Sequence, residues 1–199
     1  MNPADDSETA FKNLVLRSCP FHDGETIDIA GIRIARYSGE FWTSAQRKAS
    51  SVHEISYRAC FKPQLPHFFI KNLTGVGSRI YDPFSGRGTT VIEAGLLGRQ
   101  IASNDANPLS RILTRPRFFI PAEKQVAARM AEIPAGTGER AEIDLSMFYD
   151  QKTEGEIVSL RQYLINPEET GRIDSVDSWI RMVATSRLTG HSAGFFSVY

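Results

Sequence analysis

Apolar and polar positions alternate along Thr26-Ile27-Asp28-Ile29-Ala30-Gly31-Ile32-Arg33-Ile34-Ala35, with a glycine near the middle. A period of two predicts a strand or a small hairpin there. Further on, Pro63 stops whatever precedes it, and Leu65, Phe68 and Phe69 recur at helical spacing. That pattern predicts an amphipathic helix packed on a sheet. Arg79-Ile80-Tyr81 reads as the end of a buried strand, and 89–97, after a loop with two glycines, as a helix packed back on the sheet. Arg99–Ser103 reads as a second strand, ending at Asn104-Asp105-Ala106-Asn107-Pro108.

Beyond Pro108 the period becomes helical. Leu109, Ile112 and Leu113 share one face until Arg115-Pro116-Arg117 breaks it. Residues 121–133 form a predicted helix closed by Pro134-Ala135-Gly136-Thr137-Gly138. A further helix at 154–164 carries Ile157, Leu160 and Leu164. In 175–188 the apolar stripe is Val176, Ile180, Val183 and Ala184, with Trp179 beside it. Residues 1–10 read as a frayed acidic leader, and Phe195–Tyr199 as a strand beginning. No internal repeat or low-complexity segment occurs.

Composition narrows the class. The chain has 199 residues and is 41% hydrophobic, enough for one compact domain. No apolar run is long enough to span a bilayer, and no charged-then-apolar signal opens the chain. Cys19 and Cys60 lie far apart and outside any metal-ligand spacing, so a cytoplasmic protein with two free thiols is expected. Net charge is zero but uneven: residues 31–119 carry 13 Lys/Arg against 5 Asp/Glu, and residues 120–199 carry 8 against 12. The basic excess suits a polyanionic partner or serves solubility alone. Phe41-Trp42 beside Gln46-Arg47-Lys48 reads as an edge of the core with a solvated flank.

The chemistry concentrates in Tyr81-Asp82-Pro83-Phe84-Ser85-Gly86-Arg87-Gly88-Thr89-Thr90. A strand, a glycine loop and a helix start form a cradle for phosphate or carboxylate, because glycines allow close backbone approach and helix-start amides favour an anion. The loop is neither Gly-x-Gly-x-x-Gly nor a Walker loop. Asp105 stands 23 residues after Asp82, where such folds bind ribose hydroxyls; a carboxylate suits that role because it accepts two hydroxyl protons. His191, in Thr189-Gly190-His191-Ser192, reads as a loop or capping residue.

Asp82 to Thr90 resembles motif I of the S-adenosylmethionine-dependent amino-methyltransferases of DNA, Asp-Pro-Phe-x-Gly-x-Gly-Thr-Thr. Just upstream, His53, Tyr57, Phe61, Lys62, Pro63 and Leu65 look like motif X of the same family, whose backbone and ring close over the methionine end of the cofactor. The resemblance implies an α/β, Rossmann-like methyltransferase fold, incomplete, with an additional helical segment. Residues 1–25 would be a leader, 26–119 the cofactor-binding part, and 120–199 a helical segment leading towards a missing catalytic strand. It implies S-adenosylmethionine as cofactor and DNA as partner. Tyr57, Phe61, Lys62, Pro63, Asp82, Pro83, Phe84, Ser85, Gly86, Gly88, Thr89, Thr90, Asp105, Ala106 and Asn107 would form the cofactor site, with Asp105 on the ribose.

In that family the chemistry is done at motif IV, Asp/Asn/Ser-Pro-Pro-Tyr/Phe, which orients the exocyclic amine and stacks on the flipped base. None of the ten prolines here adjoins another, so motif IV is absent. The expectation is a cofactor-binding half that is inactive alone: a fragment, a truncated product, or one subunit of an enzyme split over two polypeptides. Its parent would methylate adenine N6 or cytosine N4. An RNA base methyltransferase and a non-catalytic cofactor-binding or assembly subunit are the alternatives.

Overall fold

The computed structural model describes residues 13, 22–38, 49–55, 57, 60–136, 138–169 and 171–187. The readings of residues 1–10, Cys19, Phe41-Trp42, Gln46-Arg47-Lys48, His191 and Phe195–Tyr199 lie outside the described residues. The architecture is mixed α/β with two small sheets. It divides into two compact units: Met1–His53, Phe61–Asp82 and Thr89–Ser103 form the first, and Glu54–Cys60, Pro83–Gly88 and Asn104–Tyr199 the second. Among the described residues no helix is long and apolar enough to cross a membrane.

The first unit contains an antiparallel hairpin of β1 (His22–Ile29) and β2 (Ile32–Ser38), closed where Ile29 faces Ile32. Ala30 and Gly31 turn it, with φ of 55° and 82°. Two positive φ values make the two-residue turn whose twist matches that of the strands. The carboxylate of Asp28 accepts the Gly31 amide at 2.9 Å.

Helix α1 (Gln64–Leu73) starts at Pro63 and buries Pro66 and Ile70, one turn apart. Phe68 and Phe69 are half-buried and meet edge to face at 5.3 Å. Its end is tied by Thr74, whose hydroxyl donates to the Ile70 carbonyl at 2.6 Å. Strands β3 (Arg79–Asp82) and β4 (Gln100–Ser103) run parallel, Asp82 facing Ser103. Helix α2 (Thr89–Leu96) joins them as a βαβ unit and packs on both strands and on α1. Val91, Ile92 and Ala94 are its buried apolar positions. One expectation is corrected here: β3 is not a buried strand. It alternates exposed and half-buried, with Tyr81 60% exposed, because among the described residues its sheet has only two strands.

The second unit is helical. Helix α3 (Leu109–Thr114) runs into a 3₁₀ turn at Arg115–Phe118, followed by α4 (Glu123–Glu132), α5 (Gln151–Glu169) and α6 (Ser175–Arg187). Pro116 cannot supply the amide that would continue α3, which fits the break there. Helix α6 packs on α3, on α4 and on the 3₁₀ turn. Ile55, Leu113 and Met182 form a buried cluster, with Tyr57, Leu109 and Trp179 against it. The stripe expected on α6 needs a second correction: Val183 is 40% exposed, and Met182 is the buried residue beside Ile180. Arg129 of α4 pairs with Asp174 at 2.8 Å and also with Asp177, fastening α4 to the start of α6. These bonds raise the Arg129 pKa, the hydrogen bond to Asp174 most of all.

Candidate functional site

Between β3 and α2 the chain makes a tight loop at 83–88. Its backbone is held by its own polypeptide: the Ser85 amide donates to the Asn104 carbonyl at 3.0 Å and the Gly88 amide to the Ser85 carbonyl at 2.7 Å. The Gly86 amide donates to Oδ2 of Asp105 at 2.7 Å, and the other oxygen of Asp105 accepts the Asn107 amide at 2.8 Å. Hydrogen bonds from the Asn107 and Gly86 amides hold the Asp105 carboxyl below its usual range. Each oxygen of an ionised carboxylate keeps further acceptor capacity after one such bond.

The two glycines have different neighbours. Gly88 has φ +82°, and a Cβ there would lie 2.5 Å from the Thr114 hydroxyl and methyl. No side chain fits there unless Thr114 or the loop shifts. Gly86 has φ +52°, and its open side faces the ring of Tyr57, 3.4 Å from where a Cβ would stand. Arg87 donates to the Ile55 carbonyl at 2.8 Å. Arg117, buried, donates to the Leu113 carbonyl at 2.8 Å and to the carbonyl of Arg87. Burial, and after it the charge of Arg87, pushes the Arg117 pKa down to about 10. The buried hydroxyls of Ser85 and Thr114 have no hydrogen-bond partner among the described residues.

Of the residues singled out in the sequence, the structure thus gathers Tyr57, Ser85, Gly86, Gly88, Asp105 and Asn107. Pro83 and Ala106 are exposed, and Phe84 is 86% exposed. The remainder belong to the first unit. Pro63 is buried at the start of α1, with Phe61 and Lys62 exposed before it. Asp82 ends β3, and Thr89 (buried) and Thr90 (half-buried) begin α2. Ile55, Arg87, Thr114 and Arg117 were not singled out as site residues. Their contributions come through carbonyl acceptors and packing, which leave no motif in a sequence.

His53 has a partner no spacing announced. Its Nε2 lies 2.6 Å from Oε1 of the buried Glu93, and Nδ1 of His67 lies 2.8 Å from Oε2. Burial pushes the Glu93 pKa up, but the hydrogen bonds with His53 and His67 outweigh it, leaving a net value below the ordinary 4.5. Both carboxylate oxygens are engaged, so Glu93 acts as a clamp inside the first unit. Among the described residues no group of three or more His, Cys, Asp or Glu is placed to hold a metal ion.

Comparison with known proteins bears on the loop and its surroundings. Residues 33–125 match the DNA methylase family. That segment is similar to the DNA N6/N4 amino-methyltransferases. A type II methyltransferase of Methanocaldococcus jannaschii, M.MjaII, is 34% identical over 76 residues, covering 38% of this chain and 14% of that relative. The chain therefore aligns with about one seventh of the length of the methyltransferase it matches. No solved structure matches it.

Proposed function

We propose that the chain is the S-adenosylmethionine-binding portion of a DNA methyltransferase acting on adenine N6 or cytosine N4, with a Rossmann-like sheet completed by strands beyond the two parallel ones described. The observation that carries this reading is the bond between Asp105 and the Gly86 amide. An acid 19 residues downstream of Gly86 returns to the glycine loop and is held ionised at its edge.

The residues present fit the cofactor. Asp105 keeps acceptor capacity for the two ribose hydroxyls, and Gly86 and Asn107 fix its orientation. Ser85 offers a buried hydroxyl still in need of a partner. Thr89 and Thr90 open α2, where the partial positive charge of a helix start suits the amino-acid carboxylate. Tyr57, Phe61, Lys62 and Pro63 would cover the methionine end, and Asp82, Pro83, Phe84 and Ala106 would border it. Gly86 and Gly88 serve by conformation: the Gly86 and Gly88 amides and that of Ser85 are engaged within the protein. The bound cofactor supplies an electrophilic sulfonium methyl. Residues orienting an acceptor amine would come from a Pro-Pro-aromatic segment on a further stretch of chain or a second polypeptide, in a restriction-modification setting.

The test is calorimetric titration with S-adenosylmethionine. The full chain binds it, and Asp105→Ala binds about tenfold more weakly through loss of charge-assisted bonds. Absence of heat for the parent at any soluble cofactor concentration overturns the reading, and equal affinity of the two proteins removes Asp105 from the site. The chain alone transfers no tritiated methyl to DNA; turnover would show that it carries acceptor-orienting residues of its own.

A further inference from the structure

A cleft of about 560 Å³ opens in the second unit, away from the loop residues themselves, with α3, the 3₁₀ turn and α6 among its walls. Three arginines from these three elements line it: Arg111, Arg115 and Arg181. Arg111 and Arg115 are exposed and pair with no acid among the described residues. The floor between them is apolar, with Ile112, Pro116 and Ile173. Among the described residues no acidic side chain lines this cleft. A smaller adjoining cleft shares Arg115 with it and contains Asp174, whose carboxylate is engaged by Arg129 at 2.8 Å. Two of the three, Arg111 and Arg115, belong to the 31–119 stretch that carries the basic excess, with 13 Lys/Arg against 5 Asp/Glu.

We propose that this cleft is a phosphate-backbone contact for double-stranded DNA. Guanidinium groups match phosphodiester oxygens bidentately, and the exposed Arg111 and Arg115 on one concave surface neutralise successive phosphates rather than a single anion. Among the described residues the larger cleft has no aromatic wall on which a base could stack. Its contribution is therefore positional and independent of sequence, set by counterion release. The identity of the polymer rests on the methyltransferase reading above; the cation cluster does not.

The experiment titrates the full chain against two duplexes of unrelated sequence by fluorescence anisotropy over a series of salt concentrations. The parent, Arg111→Gln/Arg115→Gln and Arg111→Lys/Arg115→Lys are compared. Both side chains are exposed, so the variants keep the parent's melting temperature. Loss of two phosphate contacts weakens binding equally for both duplexes and lowers the slope of log affinity against log salt by about 2. The lysine variant retains the slope, because a point charge still displaces a counterion.

An unchanged slope in the glutamine variant overturns the cleft as a DNA contact. So does a parent that binds neither duplex at low salt, or one in which free ATP competes as well, per phosphate, as duplex DNA. Structured RNA bound in preference to duplex DNA also sinks the proposal and favours an RNA substrate. Calorimetry with S-adenosylmethionine separates the two claims. Cofactor binding with an unchanged DNA slope sinks only the cleft, and a reduced slope without cofactor binding sinks the methyltransferase reading while the cleft stands.

Discussion

Two turns in this molecule share an unusual backbone conformation and owe it to different causes. Gly31, at the tip of the β1–β2 hairpin, and Gly88, at the end of the 83–88 loop, both have φ of +82°. A Cβ at Gly31 would meet nothing within 4 Å, whereas at Gly88 it would strike Thr114 at 2.5 Å. The hairpin glycine answers to local twist alone. The loop glycine answers to local twist and to a helix that has closed on it. Identical dihedrals thus carry unequal consequences, and tertiary packing makes the difference.

The largest effect should come from Gly88→Ala. Strain at positive φ and overpacking against Thr114 add, for a loss of about 3–5 kcal/mol in denaturant unfolding. Combining it with Thr114→Ala should recover the packing part, a coupling of at least about 1 kcal/mol in a double-mutant cycle. Strict additivity would mean that α3 does not press on the loop.

Glu93→Gln comes next, at about 2 kcal/mol, from weakened bonds to His53 and His67 in a buried setting. It also probes pH. The folded pKa of Glu93 is depressed, so its ionised form contributes stability that is fully present above the unfolded value. That contribution is lost as pH falls through the lower folded value. The parent should therefore lose more stability than Glu93→Gln on acidification from about 4.5 downward. Parallel stability curves for the two proteins in that range would discard the clamp.

Gly31→Ala should be the mildest, about 1 kcal/mol, because only the dihedral resists it. A cost matching that of Gly88→Ala would abolish the distinction between the two turns.

Much of this arrangement was legible in the chain. The alternation around Gly31 foretold the hairpin, the period around Phe68 and Phe69 foretold α1, and Arg99–Ser103 foretold a strand, seen as β4. The buried character assigned to β3 did not survive, because apolar residues mark a strand without stating how many neighbours cover it. Val183 was misplaced for a related reason: helical spacing defines a stripe, while the packed elements choose which edge of it is covered.

By itself the sequence determined where the backbone must turn, since glycine, proline and alternation act over a few residues and need no partner. Which groups meet was decided by the tertiary structure alone. Asp105 reaches Gly86 across 19 residues, Arg117 reaches Arg87 across 30, and His53 reaches Glu93 across 40. A bond between distant residues depends on the path of the chain between them, and no local period encodes that path.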